Sequence, residues 1–366
     1  MGFLVSKIRS GGKMNIAVLV SGGVDSSVAL NLIKDQGHDI TAFYLKIWLE
    51  DDVSFLGTCP WEEDLSFVRA VCEKANVPLE VVPMQKEYWD KVVSYTLAEV
   101  KAGRTPNPDI FCNKLIKFGL FLEKYGDQFN KIATGHYAQI VEQNGQYQLQ
   151  SAPDKVKDQT YFLSYLDQTQ LAKLLFPIGH LTKEQVRGLA QTYDLPNKDR
   201  KDSQGICFLG KLKFDEFIKF YVGEKKGDMV EAETGKKLGE HKGFWFHTIG
   251  QRRGSGLSGG PWYVVDKDTQ KNIVYVSKQY YSQDKVRDTF EVEKINWISG
   301  QKPKKSYLQV KMRHGKKRYN CRIAFTADDL VQVQLDERDQ GIAPGQFAVF
   351  YDGNICLGGG VIKKTV

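Results

Sequence analysis

No apolar run in this chain approaches the roughly 20 residues that cross a bilayer; stretches such as residues 16–20 end after a few positions. The N-terminus lacks the basic, apolar and small-residue series of a secretory signal. A secreted or membrane-inserted protein is therefore not expected, and a cytoplasmic one is. Cysteine is sparse, with six residues at 59, 72, 112, 207, 321 and 356, no Cys-x-x-Cys pair and no zinc spacing. That dispersal argues against a disulfide scaffold and for reduced thiols. Charge of one sign is not extreme: 51 Lys and Arg against 44 Asp and Glu leave +7, too little by itself to establish a nucleic-acid partner. One common nucleotide signature, Gly-x-x-x-x-Gly-Lys-Ser, is missing as well.

What is present suits packed cores. A chain of 366 residues with 42% apolar and 12% aromatic content is expected to form two or three domains. The leader 1–13 carries Lys7, Arg9 and Lys13 without an acid, and Met14 follows it. It reads either as a remnant of an organellar address or, more simply, as an upstream start or added extension. Residues 15–137 alternate short β-rich runs (16–20, 40–47, 79–82, 131–134) with helical stretches (to 36, 62–75, through 89 and 100, 112–125). Such alternation predicts an α/β fold with a parallel sheet covered by helices, whose ligands gather beyond the carboxyl ends of the strands. Residues 151–202 read as mostly helical, with a capping box at Thr182-Lys183-Glu184-Gln185. After a helical piece at 213–222, Gly-rich loops and strands are expected at 244–249, 262–265 and 273–276. Alternating strands at 290–298, 307–313, 318–325, 330–335 and 347–351 then suggest a small closed barrel. Residues 302–319 hold eight cations (Lys302, Lys304, Lys305, Lys311, Arg313, Lys316, Lys317, Arg318) and no acid. They fit a polyanion, or simply a solvated hairpin.

The most specific local signal is Ser21-Gly22-Gly23-Val24-Asp25-Ser26-Ser27, placed between a strand and a helix. Paired glycines let the backbone approach an anion closely, while serine hydroxyls and helix N-terminal amides donate to it. The heptad resembles the PP-loop of ATP pyrophosphatases, a group that includes GMP, NAD and argininosuccinate synthetases and several tRNA-modifying enzymes. Those enzymes split ATP between its α and β phosphates and transfer AMP to an oxygen. Asp25 is a candidate to help hold Mg²⁺, and no other metal ligand is assigned.

Two cysteines stand in polar turn-rich segments. Cys112 follows Gly103-Arg104-Thr105-Pro106-Asn107-Pro108-Asp109-Ile110-Phe111 and enters a helix, where a first-turn position would favour the thiolate. Cys207 lies in Asp202-Ser203-Gln204-Gly205-Ile206-Cys207-Phe208. From local sequence each is equally readable as a reactive thiol or a small core residue, whereas Cys59, Cys72, Cys321 and Cys356 read as core.

With these segments in place the chain resembles the tRNA 2-thiouridylases. The resemblance is carried by the PP-loop, residues 105–113, Ala133-Thr134-Gly135-His136-Tyr137 and Lys157-Asp158-Gln159-Thr160-Tyr161-Phe162. It continues through residues 202–208, His247-Thr248-Ile249-Gly250-Gln251-Arg252-Arg253-Gly254 and Ala343-Pro344-Gly345-Gln346. It implies a PP-loop catalytic domain at 14–214, a small connecting domain at 215–285 and a tRNA-binding β-barrel at 286–366. It also implies a monomer acting on the wobble uridine of tRNAs for Lys, Glu and Gln. Leu19, Val20, Ser21, Gly22, Gly23, Val24, Asp25, Ser26, Leu45 and Gly135 would contact ATP. Asn107, Pro108, Asp109 and Gln346 would surround the target base. His136, Lys157, Asp158, Gln159, Arg313 and His314 would contact tRNA.

The implied chemistry is adenylation of uridine O2 followed by delivery of sulfur from a Cys207 persulfide. Cys112 is the partner thiol, which either forms a disulfide with Cys207 or assists attack on the base, and Asp109 is the candidate for proton transfer. An upstream persulfide donor, either a relay protein or a desulfurase, and a reductant are required. Two departures stand out: Leu45 occupies a position that is often Met in the family, and residues 49–61, with Cys59, differ from the commonest version and leave a third thiol or a metal cluster open. The rival readings are a PP-loop ligase or amidotransferase acting on a small molecule and a non-catalytic tRNA-binding relative. No glutaminase segment supports the first, and the intact loop and both cysteines oppose the second.

Overall fold

The computed structural model describes residues 12–47, 60–202, 213–280, 287–327, 329–339 and 341–365. Strands β1 (Asn15–Leu19), β2 (Asp39–Lys46), β3 (Leu79–Pro83) and β4 (Lys131–Thr134) form a parallel sheet in the order β3-β2-β1-β4. Alternate residues of β1 feed two cores. Ile16 and Val18 join Leu30, Ile40, Tyr44 and Val68 on one face, while Ala17 and Leu19 join Phe43, Tyr88, Ile116 and Phe121 on the other. Burial on both faces is why β1 reads as an unbroken apolar run. Helices α1 (Val24–Asp35) and α2 (Pro60–Ala75) follow β1 and β2. The chain passes from β3 on one side of β1 to β4 on the other, so the loop after β1 lies at the topological switch point.

The next two strands, β5 (Ala138–Gln143) and β6 (Gln146–Ser151), leave this sheet as a hairpin, and the two-residue β7 (Leu174–Leu175) returns to pair with β4. The hairpin turn Asn144-Gly145 has both φ angles positive, at 53° and 74°. It is the Asn-Gly signal of a two-residue turn, in a segment between residues 137 and 151 to which the sequence reading assigns no element.

A second, four-stranded sheet holds β8 (Gly227–Glu231), β9 (Lys237–His241), β10 (Tyr263–Asp268) and β11 (Ile273–Ser277) in the order β10-β11-β8-β9. The strand expected at 244–249 is not there: Phe244–Phe246 form a short 3₁₀ turn. Its aromatics serve two cores at once, Phe244 the middle sheet and Phe246 the core of the first unit, with Trp245 touching both. A strand would have sent neighbouring side chains to opposite faces of a single sheet instead.

The third unit is an antiparallel barrel of β12 (Thr289–Trp297), β13 (Tyr307–Lys311), β14 (Tyr319–Ala327), β15 (Leu330–Leu335), β16 (Phe347–Asp352) and β17 (Ile355–Thr365). Pairing of β12 with β17 closes the order β12-β15-β14-β13-β16-β17. In β14, Tyr319, Cys321 and Ile323 face the core and Asn320, Arg322 and Ala324 face solvent. The expected α/β domain, small connecting unit and C-terminal barrel are all present, but they share a sheet: β6 pairs with β17 through Ile355–Gln150 and Cys356–Leu149. Among the described residues no helix is long and apolar enough to cross a membrane.

Candidate active site

The loop 21–27 is built as an open cradle. Gly22 has φ +75°, and a Cβ there would stand 2.6 Å from Asp64 O, so only glycine suits the position. Ser26 Oγ and Ser27 Oγ each donate to Gly23 O at 3.0 Å. Asn197 Nδ2 holds Gly22 O at 2.7 Å and Ser27 Oγ at 2.9 Å, and Arg200, ion-paired to Asp64, adds a bond to Gly22 O at 3.0 Å. No side chain caps α1, so its first amides are open to an anion. The register sets Leu19 beside Phe43 and Thr134, which brings Leu45 of β2 and Gly135 after β4 to the same end of the sheet. A Cβ on Gly135 would lie 2.6 Å from Ser26 N, so this glycine permits close approach to the start of α1.

Asp25 is engaged on one oxygen: Tyr137 Oη donates to Oδ1 at 2.8 Å, and Lys183 Nζ does so at 2.7 Å. Lys183 also reaches Asp202 at 2.8 Å, and Asp202 is paired with Lys157 and Arg187 at 2.5 Å each. Partial burial raises the Asp202 pKa, but Lys157 and Lys183 outweigh it and hold the carboxyl well below its usual range. Burial, with Asp25 adding to it, pushes the Tyr137 hydroxyl far up, so it remains a donor. Among the described residues no cluster of three or more His, Cys, Asp or Glu could hold a metal. Asp25 is thus a single carboxylate beside a phosphate cradle, a donor set suited to Mg²⁺ that is also held by phosphates.

Cys112 is fully buried. The helix that carries it starts at Pro108, with Asn107 as its cap residue, so Cys112 is its fifth residue and begins the π-helical stretch Cys112–Leu120. The first-turn placement is therefore corrected, and with it the dipole argument for a thiolate, since that effect fades after the first turn. Asp109 is half-buried in the first turn. Cys207 and Cys59 lie outside the described residues. Burial raises Cys72 to about 11 and Cys321 and Cys356 to about 12, which makes them unreactive core thiols.

All three units meet at residues 103–109. Gly103 has φ +77°, and a Cβ there would meet Thr269 Cγ2 of the middle sheet at 2.4 Å. Thr105 N donates to Pro344 O at 2.9 Å, and a Cβ on Gly345, at φ +90°, would lie 2.7 Å from Arg104 Cβ. Asn107, Pro108 and Asp109 are thereby brought near Gln346, whose Oε1 is shut off from water without a partner among the described residues.

Residues 14–211 match the family described as the tRNA methyl transferase HUP domain, 215–278 its PRC-barrel domain, and 287–362 the aminomethyltransferase beta-barrel domain. The tRNA-specific 2-thiouridylase MnmA of Parabacteroides distasonis is 49% identical over 355 residues, 95% of this chain and 99% of the relative. The chain belongs to the tRNA-specific 2-thiouridylase family. The family protein MnmA of Porphyromonas gingivalis is 46% identical, covering 96% and 99% of the two chains, and MnmA 1 of Bacteroides thetaiotaomicron is 45% identical, covering 96% and 100%.

Within this thiouridylase framework the residues expected to face tRNA divide. Asp158 is 2% exposed, pairs with Lys311 at 3.0 Å and accepts from Thr160 Oγ1 at 2.9 Å. Its expected direct contact is corrected: it ties the catalytic unit to the barrel. His136 is half-buried, bonds Thr134 Oγ1 at 2.7 Å and packs between Phe118 and Phe176, and burial, then Lys117, keeps it neutral. Gln159 Oε1 accepts from Tyr137 N at 2.9 Å. Lys157 is paired with Asp202, Arg313 with Asp339 at 2.6 Å, and His314 lies against Phe162 at 4.7 Å. The basic run 302–319 is not one free patch either. Lys305, Lys311, Arg313, Lys317 and Arg318 have carboxylate partners, and Lys311 is buried. Sequence reasoning missed Lys183, Asn197 and Arg200. The capping box at Thr182 and Gln185 was visible, but nothing in it signals that its first helical residue reaches Asp25.

Proposed function

We infer that this protein replaces the 2-oxygen of a tRNA uridine with sulfur at the expense of ATP, the wobble uridine of tRNAs for Lys, Glu and Gln being the substrate. The observation that carries the reading is the phosphate cradle at the switch point of a chain that matches 2-thiouridylases along nearly its whole length. The cradle amides of 22–26 and Lys183 are suited to the pyrophosphate that leaves when uridine O2 attacks the α-phosphate, and Mg²⁺ would supply further charge neutralisation beside Asp25. N3 of the base gives up its proton in that step, and Asp109 is the candidate to take it.

The terminal sulfur of a Cys207 persulfide then adds to C2 and AMP departs with the old oxygen. Attack by Cys112 on the Cys207 sulfur releases 2-thiouridine, which regains its N3 proton. The two thiols are left as a disulfide for a dithiol reductant to reopen. Burial of Cys112 keeps competing water from that exchange. Base extrusion costs a few kcal/mol, less in a loop than in a duplex, and contacts from Lys157, Arg313 and other surface cations offset it. Asp25→Ala should abolish tRNA-dependent pyrophosphate release; release at the wild-type rate would remove the cradle from the chemistry.

A further inference from the structure

Beside the three-way junction, two polar atoms on different units are sealed from water and have no hydrogen-bond partner among the described residues: Tyr95 Oη and Gln346 Oε1. Native interiors rarely leave such atoms unpaired, and a ligand that supplies the missing bond is one reason to keep them. Rings connect them. Tyr95 packs edge-on against Phe111 at 4.5 Å, and Phe111 packs against Phe347, the neighbour of Gln346, at 5.7 Å. The Asn107 backbone lies beside Tyr95 Oη without hydrogen-bond geometry, and the Asn107 side chain lies beside Tyr161, whose hydroxyl donates to Phe347 O at 3.2 Å. Tyr161 is therefore satisfied by the barrel, and Tyr95 is not.

We propose that Tyr95 is a base-reading residue, whose hydroxyl donates to O4 of the pyrimidine when it enters between Asn107 and Gln346. This rests on the reading that the target base enters there. Uracil offers an acceptor at C4, whereas cytosine carries an amino donor, so a fixed hydroxyl donor favours uracil. Burial, followed by the Glu99 charge, holds the phenol well above its usual pKa, so the proton stays in place to be donated. The ring is braced by Phe111 and the residue sits on the helix Ser94–Lys101, which fixes the direction of the bond.

The test uses the full-length protein, wild type and Tyr95→Phe, with anticodon stem-loops that carry uridine, 4-thiouridine or an abasic nucleotide at the target position. Sulfur at C4 is a poor acceptor, while N3–H and O2 are retained. Wild type should bind the 4-thiouridine loop about tenfold more weakly than the uridine loop, and Tyr95→Phe should bind both at that weaker level. Full discrimination retained by Tyr95→Phe, or an equal loss on both loops, overturns the proposal. Wild-type binding of the abasic loop as tightly as the uridine loop overturns it together with the entry reading, so the two failures are distinguishable. Unchanged thermal unfolding of Tyr95→Phe shows that the ring still packs on Phe111.

Discussion

Asp158 and Lys311 meet at 3.0 Å with each side chain almost wholly excluded from water, one in the segment that follows the β5–β6 hairpin and the other at the end of β13. Arg318, stacked on Tyr351, stands 3.7 Å from the same carboxylate. Removing one member of a buried pair strands the other charge, which costs about 3–5 kcal/mol. Asp158→Asn should therefore destabilise the protein by that order in urea unfolding. Lys311→Met should cost less, because Asp158 keeps Arg318 and the Thr160 hydroxyl. The reverse ranking would mean that the pair does not dominate the junction.

This pair also marks how far the sequence could be read. Local signals located the cradle, β1 to β4 and most barrel strands, because each is a run of a few residues with its own periodicity. The joining of the units could not be read locally. Lys311 sits in a run of cations that suggests solvent, and only the partner 153 residues away explains its burial. Lys183 was hidden for the same reason. The hairpin, by contrast, carried a readable Asn144-Gly145 turn.

Lys183 joins the cradle to Asp202. Lys183→Met should leave the fold intact and lower tRNA-dependent pyrophosphate release about 100-fold or more, the usual cost of losing a fixed donor at developing charge. A change under threefold in initial rates would place the lysine outside the chemistry.

Gly135→Ala sets a methyl group against the first turn of α1, 2.6 Å from Ser26 N. Nucleotide binding, measured calorimetrically, should weaken by about tenfold or more. Wild-type affinity would show that the start of α1 tolerates displacement.

Burial, with smaller contributions from His241 and Lys267, lowers His247 from an ordinary 6.5 to about 4. Between those values the unfolded chain binds a proton that the folded chain refuses. The stability contribution is intact above pH 6.5 and falls as pH drops toward 4, by at most about 3 kcal/mol. His247→Gln should flatten that part of the pH profile of unfolding, with a residual slope from His241, whose pKa burial also lowers. An unchanged slope would contradict a neutral, buried His247.

The central claim is sulfur insertion through Cys112 and Cys207, and it is tested most directly by mass analysis of nucleosides from tRNA incubated with the protein, ATP, Mg²⁺ and a persulfide donor. Wild type should yield 2-thiouridine. Cys112→Ser and Cys207→Ser should yield none while still binding tRNA. Unmodified uridine after reaction with the wild type, or full thiolation by Cys207→Ser, would contradict the account.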